Sequence, residues 1–180
     1  MDSGSSSSES LLVRGASILT PRGLVNGDLH IEGNRIAGIG KAPESKPDTV
    51  IDAKGRIAIP GLVNAHTHVS MSIFRGYGED LPLDRWLKEM IWPIEAKQTP
   101  GDVEASALLS FCEMIRSGTT CFADTSLFDA SIIIGAAKKA GMRGIVARSF
   151  LDHGDAHKTR SALGELENQS SKVHRKDNPV

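Results

Sequence analysis

Ile59-Pro60-Gly61-Leu62-Val63-Asn64-Ala65-His66-Thr67-His68 is the stretch whose reading decides the fold. Pro60-Gly61 marks a break in the chain. Residues 62–66 form a short apolar run and read as a buried strand. Side chains two apart on a strand point the same way. His66 and His68, at the C-terminal end of that strand, are therefore placed to reach one metal ion. Neutral imidazole binds zinc at about 2.0–2.1 Å. Two histidines two apart also arise by chance, and the plain alternative is a pair of hydrogen-bonded loop histidines.

Downstream of the pair, residues 83–95 have helical spacing, with Leu83, Trp86, Leu87, Met90, Ile91 and Ile94 on one face. A second helix opens with Thr99 as N-cap and Pro100 in the first turn. Its apolar stripe is Val103, Ala107, Leu108, Phe111, Met114 and Ile115, and Gly118 suits the position just past its end. Residues 119–123 read as a strand, 130–140 as a helix closed by Gly141, 144–148 as a strand, and 162–173 as a weaker amphipathic helix. The order β-α-α-β-α-β-α predicts an α/β fold with a parallel sheet and helical crossovers. In a (β/α)₈ barrel, the C-terminal end of the strands is the catalytic face. Asp124 closes the second strand and faces the same rim, a place from which a carboxylate can support a metal ligand, but it is not counted in the site. Cys112 and Cys121 read as core residues, and His153 and His157 as solvated rim residues of a polar loop.

Upstream, residues 11–19, 28–31, 35–39, 50–52 and 56–59 read as short antiparallel strands. Glu32-Gly33-Asn34 and Ala53-Lys54-Gly55 are the turns. Residues 11–60 are thus expected to form part of a small β-sandwich. Residues 1–10, polar and rich in Gly and Ser, read as a disordered tail. Lys+Arg is 21 and Asp+Glu is 22, for a net charge of −1, which gives no support to a nucleic-acid partner or a polybasic membrane surface. No apolar run approaches a spanning length. Two cysteines build no disulfide scaffold and suit a reducing compartment. With no targeting signal read in the sequence, the cytoplasm is the default localisation.

The string from Ile59 to His68, after a β-rich segment, resembles the entry to the amidohydrolase superfamily barrel. Met71-Ser72-Ile73-Phe74-Arg75-Gly76-Tyr77, Asp80-Leu81-Pro82-Leu83-Asp84-Arg85-Trp86-Leu87 and Ile91-Trp92-Pro93-Ile94-Glu95-Ala96-Lys97 resemble 5′-methylthioadenosine/S-adenosylhomocysteine deaminases and their chlorohydrolase-like relatives. The resemblance implies hydrolytic deamination of an adenine nucleoside through a water activated by one divalent metal ion, most often zinc. It implies that His66 and His68 are metal ligands and that Glu95 binds the ribose hydroxyls. It further implies that Arg148 and Arg160 meet an acidic end of the substrate, where a planar guanidinium holds a carboxylate by two parallel bonds. Without the resemblance, Glu95 reads as a solvated helix-end carboxylate and the arginines as partners in surface salt bridges. An amidohydrolase acting on guanine or an s-triazine is the near alternative.

Catalytic zinc normally has three protein ligands and an open position, and the family's remaining ligands and proton-shuttling groups come from later strands. A complete barrel takes about 250 residues, whereas residues 61–180 hold about three βα units. The expectation is an incomplete TIM-like metallo-dependent hydrolase barrel, preceded by part of a sandwich, with no catalytic proton-transfer residue in this stretch. A truncated, non-catalytic product, or a partner of a full-length relative, is the alternative from another class. Homo-oligomerisation stays open. The exposed edges of a three-stranded parallel sheet predict marginal stability.

Overall fold

The computed structural model describes residues 9–40, 43, 46–128, 130–149 and 156–173. The chain divides at Pro60/Gly61 into two compact units.

In the first unit, β1 (Ser10–Thr20) pairs antiparallel with β2 (Gly23–Glu32), which pairs antiparallel with β3 (Arg35–Ile39). The β2–β3 turn runs through Gly33, whose φ of 56° lies in the left-handed region that glycine enters without steric cost. β4 (Thr49–Asp52) and β5 (Ile57–Ala58) do not pair with each other. Both run parallel to β1, one after the other along the same edge. The expected hairpin at residues 53–55 is therefore corrected to a jog that keeps the direction of travel. Backbone bonds explain it: Ala53 N–H donates to Arg14 O (2.8 Å), and Ser17 N–H donates to Arg56 O (2.9 Å). Both sides of the jog are stitched to β1, across from its bulge between Val13 and Ala16. The strands form one mixed sheet in the order β3-β2-β1-β4, with β5 also on β1. Among the described residues of this unit, no second sheet faces it. Ala16, Ile18 and Ala53 form its small core. β1 begins at Ser10, inside the stretch read as tail. Ser10 N–H donates to Asp48 Oδ2 (2.7 Å).

In the second unit, β6 (Leu62–Thr67), β7 (Thr119–Ser126) and β8 (Arg143–Arg148) form a parallel sheet in that order. Between β6 and β7 lie a 3₁₀ segment (Val69–Phe74), a helical run and the long α3 (Pro100–Arg116). α4 (Ala130–Ala140) crosses from β7 to β8, and α5 (Ala156–Val173) follows. Thr99 and Asp102 form a reciprocal capping box at the start of α3, and Gly118, at φ 83°, lies just past its C-cap. One face of the sheet packs on α3 and α4 through Phe111, Phe122, Val103, Ala107, Ile133 and Ala136, none more than 1% exposed. The rings of Phe111 and Phe122 are 4.8 Å apart. Gly144 lies under Phe122, where a Cβ would come within 2.3 Å of the ring.

The helical run is not one regular helix. α1 (Leu83–Arg85) passes into a π-helical stretch (Trp86–Ile91) and then α2 (Trp92–Glu95). Pro93 has no N–H to give, and its ring clashes with the carbonyl four residues back. The widened turn, closed by Trp92 N–H to Leu87 O, accommodates it. Leu62, Val63, Leu83, Ile115 and Cys112 are exposed, against the expectation that they lie inside. β6 is an edge strand, and no described element of this unit covers the sheet face that carries Val63 and Ile145. On α3, a 100° step per residue turns Cys112 outward between Phe111 and Met114. No described helix is long and apolar enough to cross a membrane.

Candidate metal and substrate site

The end of β6 is irregular. Asn64 stands opposite Phe122 and Thr67 opposite Asp124, so β6 spends one more residue than β7 over the same span. This bulge removes His66 N–H from the ladder. The Asn64 side chain takes it up, with Oδ1 accepting at 3.3 Å. The extra residue lets His66 and His68 converge instead of standing one pleat apart. Their Nε2 atoms are 3.3 Å apart, and the rings meet edge to face at 84°.

His68 Nδ1 lies 2.7 Å from the Thr125 carbonyl oxygen at the end of β7. A carbonyl only accepts, so Nδ1 carries the proton and Nε2 presents its lone pair. That is the tautomer a metal ligand needs, with its second nitrogen anchored in the usual way. Two nitrogens bound at about 2.0–2.1 Å to a tetrahedral zinc ion stand about 3.3–3.4 Å apart. The spacing in this structure fits. Among the described residues, no cluster of three His, Cys, Asp or Glu is assembled for a metal.

The pair opens onto a cleft of about 470 Å³, walled by Met71, Trp86, Leu87, Ile91 and Trp92 and by Thr125 and Ser149. Glu95, at the end of α2, lies in the same wall. Burial raises its carboxyl above the usual range, and His68 nearby works against the shift. A wider depression lies along the other side of β6, lined by Asn64, His68, Arg75 and Glu113 among others. It includes one histidine of the pair and not Glu95, so the cleft is the better candidate.

The predicted residues do not all meet there. Arg148 alternates with Ile145 and Ala147 on the side of β8 that carries Val146, and its guanidinium donates to Glu165 of α5 at 2.8 Å. It is not among the cleft residues. Arg160 is exposed on α5, which starts six residues earlier than the helix expected from the sequence. His157 is exposed on the same helix, and His153 lies outside the described residues. The sequence reading missed the parts played by Asn64 and the Thr125 carbonyl. Asn64 stands within the deciding string; a backbone acceptor leaves no signal there.

The chain matches the family model "Amidohydrolase family" over residues 57–178. It is 46% identical over 158 residues to the 5′-deoxyadenosine deaminase of Methanothermobacter thermautotrophicus, covering 87% of this chain and 37% of the relative. It is 42% identical over 142 residues to the 5-methylthioadenosine/S-adenosylhomocysteine deaminase of Caldanaerobacter subterraneus, covering 78% and 33%. A solved structure, an adenosine deaminase from Xanthomonas campestris with bound zinc, superposes with a TM-score of 0.66 at 27% identity, over 94% of this chain and 40% of that one. The chain thus spans between a third and two-fifths of the length of the relatives it matches. Matched model and superposed structure together give a TIM-barrel-like metallo-hydrolase fold. On its sequence and on its fold, the chain belongs to the amidohydrolase family.

Proposed function

We propose that this chain carries the metal- and nucleoside-binding part of a hydrolase acting on a C–N bond, which deaminates an adenine nucleoside such as S-adenosylhomocysteine or 5′-methylthioadenosine. The observation that carries the reading is the convergence of His66 and His68 Nε2, 3.3 Å apart, in a cleft that also holds Glu95. On this reading, β6, β7 and β8 are the first three strands of the barrel, and residues 11–60 belong to a composite sandwich. Two relatives named as deaminases of 5′-deoxyadenosine and of 5-methylthioadenosine/S-adenosylhomocysteine support it.

His66 and His68 hold one divalent ion, zinc being favoured by imidazole donors and by the zinc of the similar deaminase structure. When bound, the ion's chemistry is Lewis-acid activation of water at neutral pH. The chain's own residues do the rest of the binding. Thr125 O fixes the proton of His68 on Nδ1. Trp86, Leu87, Ile91 and Trp92 offer an apolar wall that keeps water from the base. Glu95 accepts hydrogen bonds from the ribose hydroxyls, and its half-buried setting strengthens them. Arg148 and Arg160 are assigned to an acidic end of the substrate; Arg148 is paired with Glu165, which a substrate carboxylate would replace. Two ligands do not complete a catalytic zinc site, so the third donor and the proton-transfer groups come from outside the described residues.

That shortfall also favours a second reading, in which this chain alone turns nothing over and acts only with a longer relative. Protein isolated from its own cells separates the two. Its intact mass, its bound zinc and its release of ammonia from 5′-deoxyadenosine, 5′-methylthioadenosine, S-adenosylhomocysteine and guanine are measured together. Zinc and adenine-nucleoside turnover are expected in any preparation with a complete site. Turnover confined to guanine moves the substrate class, and a zinc-free, inactive preparation that captures no relative overturns the reading.

A further inference from the structure

Asp124 is 3% exposed, yet its carboxylate makes one hydrogen bond among the described residues: Val69 N–H donates to Oδ1 at 2.8 Å, while the buried Oδ2 has no partner. Val69 directly follows His68. The residue after Asp124 is Thr125, whose carbonyl takes the His68 Nδ1 proton. Two adjacent residues at the end of β7 thus grip two adjacent residues at the end of β6. Side chain holds backbone at one point, and backbone holds side chain at the other. From the far side, α3 holds the next peptide: Ser106 Oγ and Ser110 Oγ both donate to Val69 O, at 2.9 and 3.2 Å. Val69 itself is fully buried.

We propose that Asp124 is a positioning residue for the metal site, fixing the His68–Val69 turn so that His68 keeps its proton on Nδ1 and aims Nε2 at His66. This rests on the reading of His66 and His68 as metal ligands. The ladder offers Val69 N–H nothing at this point, because β6 has ended at Thr67 and the 3₁₀ segment has only begun. Asp124 is its acceptor, and a buried N–H left without one shifts the turn it belongs to. A shift of the turn lengthens the 2.7 Å contact from Nδ1 to Thr125 O, and the two imidazole tautomers then mix.

The test uses the full 180-residue chain, labelled with ¹⁵N at histidine, with the His68 signals assigned through His68→Ala. The wild type is expected to show a single Nδ1–H tautomer at His68 without metal. Asp124→Ala is expected to mix the tautomers and to weaken zinc binding, titrated as zinc chloride, by about tenfold or more. Asp124→Asn keeps an oxygen for Val69 N–H and is expected to restore both; it also serves if the alanine variant does not fold. Ile133→Val, in the buried core behind the sheet, is expected to lower Tm without moving the tautomer. An unchanged His68 tautomer in Asp124→Ala overturns the proposal, as does mixing of equal size in Ile133→Val. Loss of the Nδ1–H form in a folded Asp124→Asn also overturns it, since the bond to Val69 would then not be the cause. Absence of zinc binding in the wild type shows that the two histidines alone do not hold the ion, and the tautomer, read without metal, still decides the role of Asp124.

Discussion

Gly144→Ala is expected to be a strongly damaging single-methyl change in the second unit. Its added Cβ would sit 2.3 Å from Cε1 of Phe122 and 2.6 Å from Cδ1 and Cζ. Carbon atoms pack at about 3.5–4.0 Å, so the ring must retreat by more than an ångström or the strand must move. The ring has nowhere to go. Phe122 is 1% exposed, and its ring lies 4.8 Å from that of Phe111, itself fully buried on α3. The strand is held as well, because Gly144 pairs with Phe122 inside the β7–β8 ladder, with pairs on both sides of it. Overpacking of this kind costs about 1–3 kcal/mol, and a site closed on both sides belongs at the upper end. At about 4 °C per kcal/mol, where the ranges for smaller and larger domains meet, Tm falls by roughly 10 °C. Differential scanning calorimetry on the chain reads it. Phe122→Leu, destabilising alone, should recover part of the loss when combined with Gly144→Ala, which marks direct coupling. Gly135→Ala on α4 is the opposite control: nothing stands within 4 Å of its Cβ position, and removing a helix-interior glycine should gain about 0.5–1 kcal/mol. A Gly144→Ala protein melting at or above the wild type, or additive behaviour with Phe122→Leu, would show that the packing argument is wrong.

Three further outcomes follow from the geometry. Thr99→Ala removes the hydroxyl that caps α3 and should cost about 1 kcal/mol in urea unfolding. The Asp102 carboxyl is held below the usual range by the Thr99 N–H and then by its hydroxyl; a depressed carboxyl adds stability above its unfolded pKa and loses it as pH falls through the folded one. Asp102→Asn should therefore narrow its deficit against the wild type as the solution is taken below the usual aspartate range, and a deficit that stays constant counts against the cap. Glu95→Gln should weaken nucleoside binding while leaving bound zinc unchanged, measured by equilibrium dialysis and metal analysis on the same preparation; loss of zinc would give Glu95 a different task.

The parts of this chain that obey a period were legible, and the parts that break one were not. The stripe from Val103 to Met114 and the alternation around Phe122 reflect burial against one partner layer, and burial imposes the 3.6- and 2-residue repeats. Thr99-Pro100 and Gly118 were readable because capping chemistry depends on residue type at one position. Val63 and Leu62 misled because an apolar run records what a strand is built to bury, while their exposure here follows from β6 being an edge. The jog at residues 53–55 misled because a Gly-containing turn does not declare whether the chain reverses. Backbone bonds to Arg14 and from Ser17 made that choice, and those partners lie some forty residues away in sequence.

The same distinction explains why the two histidines were legible as a pair and their geometry was not. A strict period of two would put His66 and His68 on one face of β6, a full repeat apart along the strand. Their Nε2 atoms meet at 3.3 Å because the strand stops being regular between Asn64 and Thr67. The wall opposite them departs from regularity too, where Pro93 widens the run from Trp86 to Ile91. A regular ladder and a regular helix pair their backbone groups internally and leave little freedom to bring side chains together. A bulge and a π-turn release single N–H groups, which Asn64 and the Leu87 carbonyl take up. Convergence of functional groups is thus obtained at the positions where periodicity fails, and at those positions the sequence signal is a single residue type, Asn64 or Pro93, instead of a pattern.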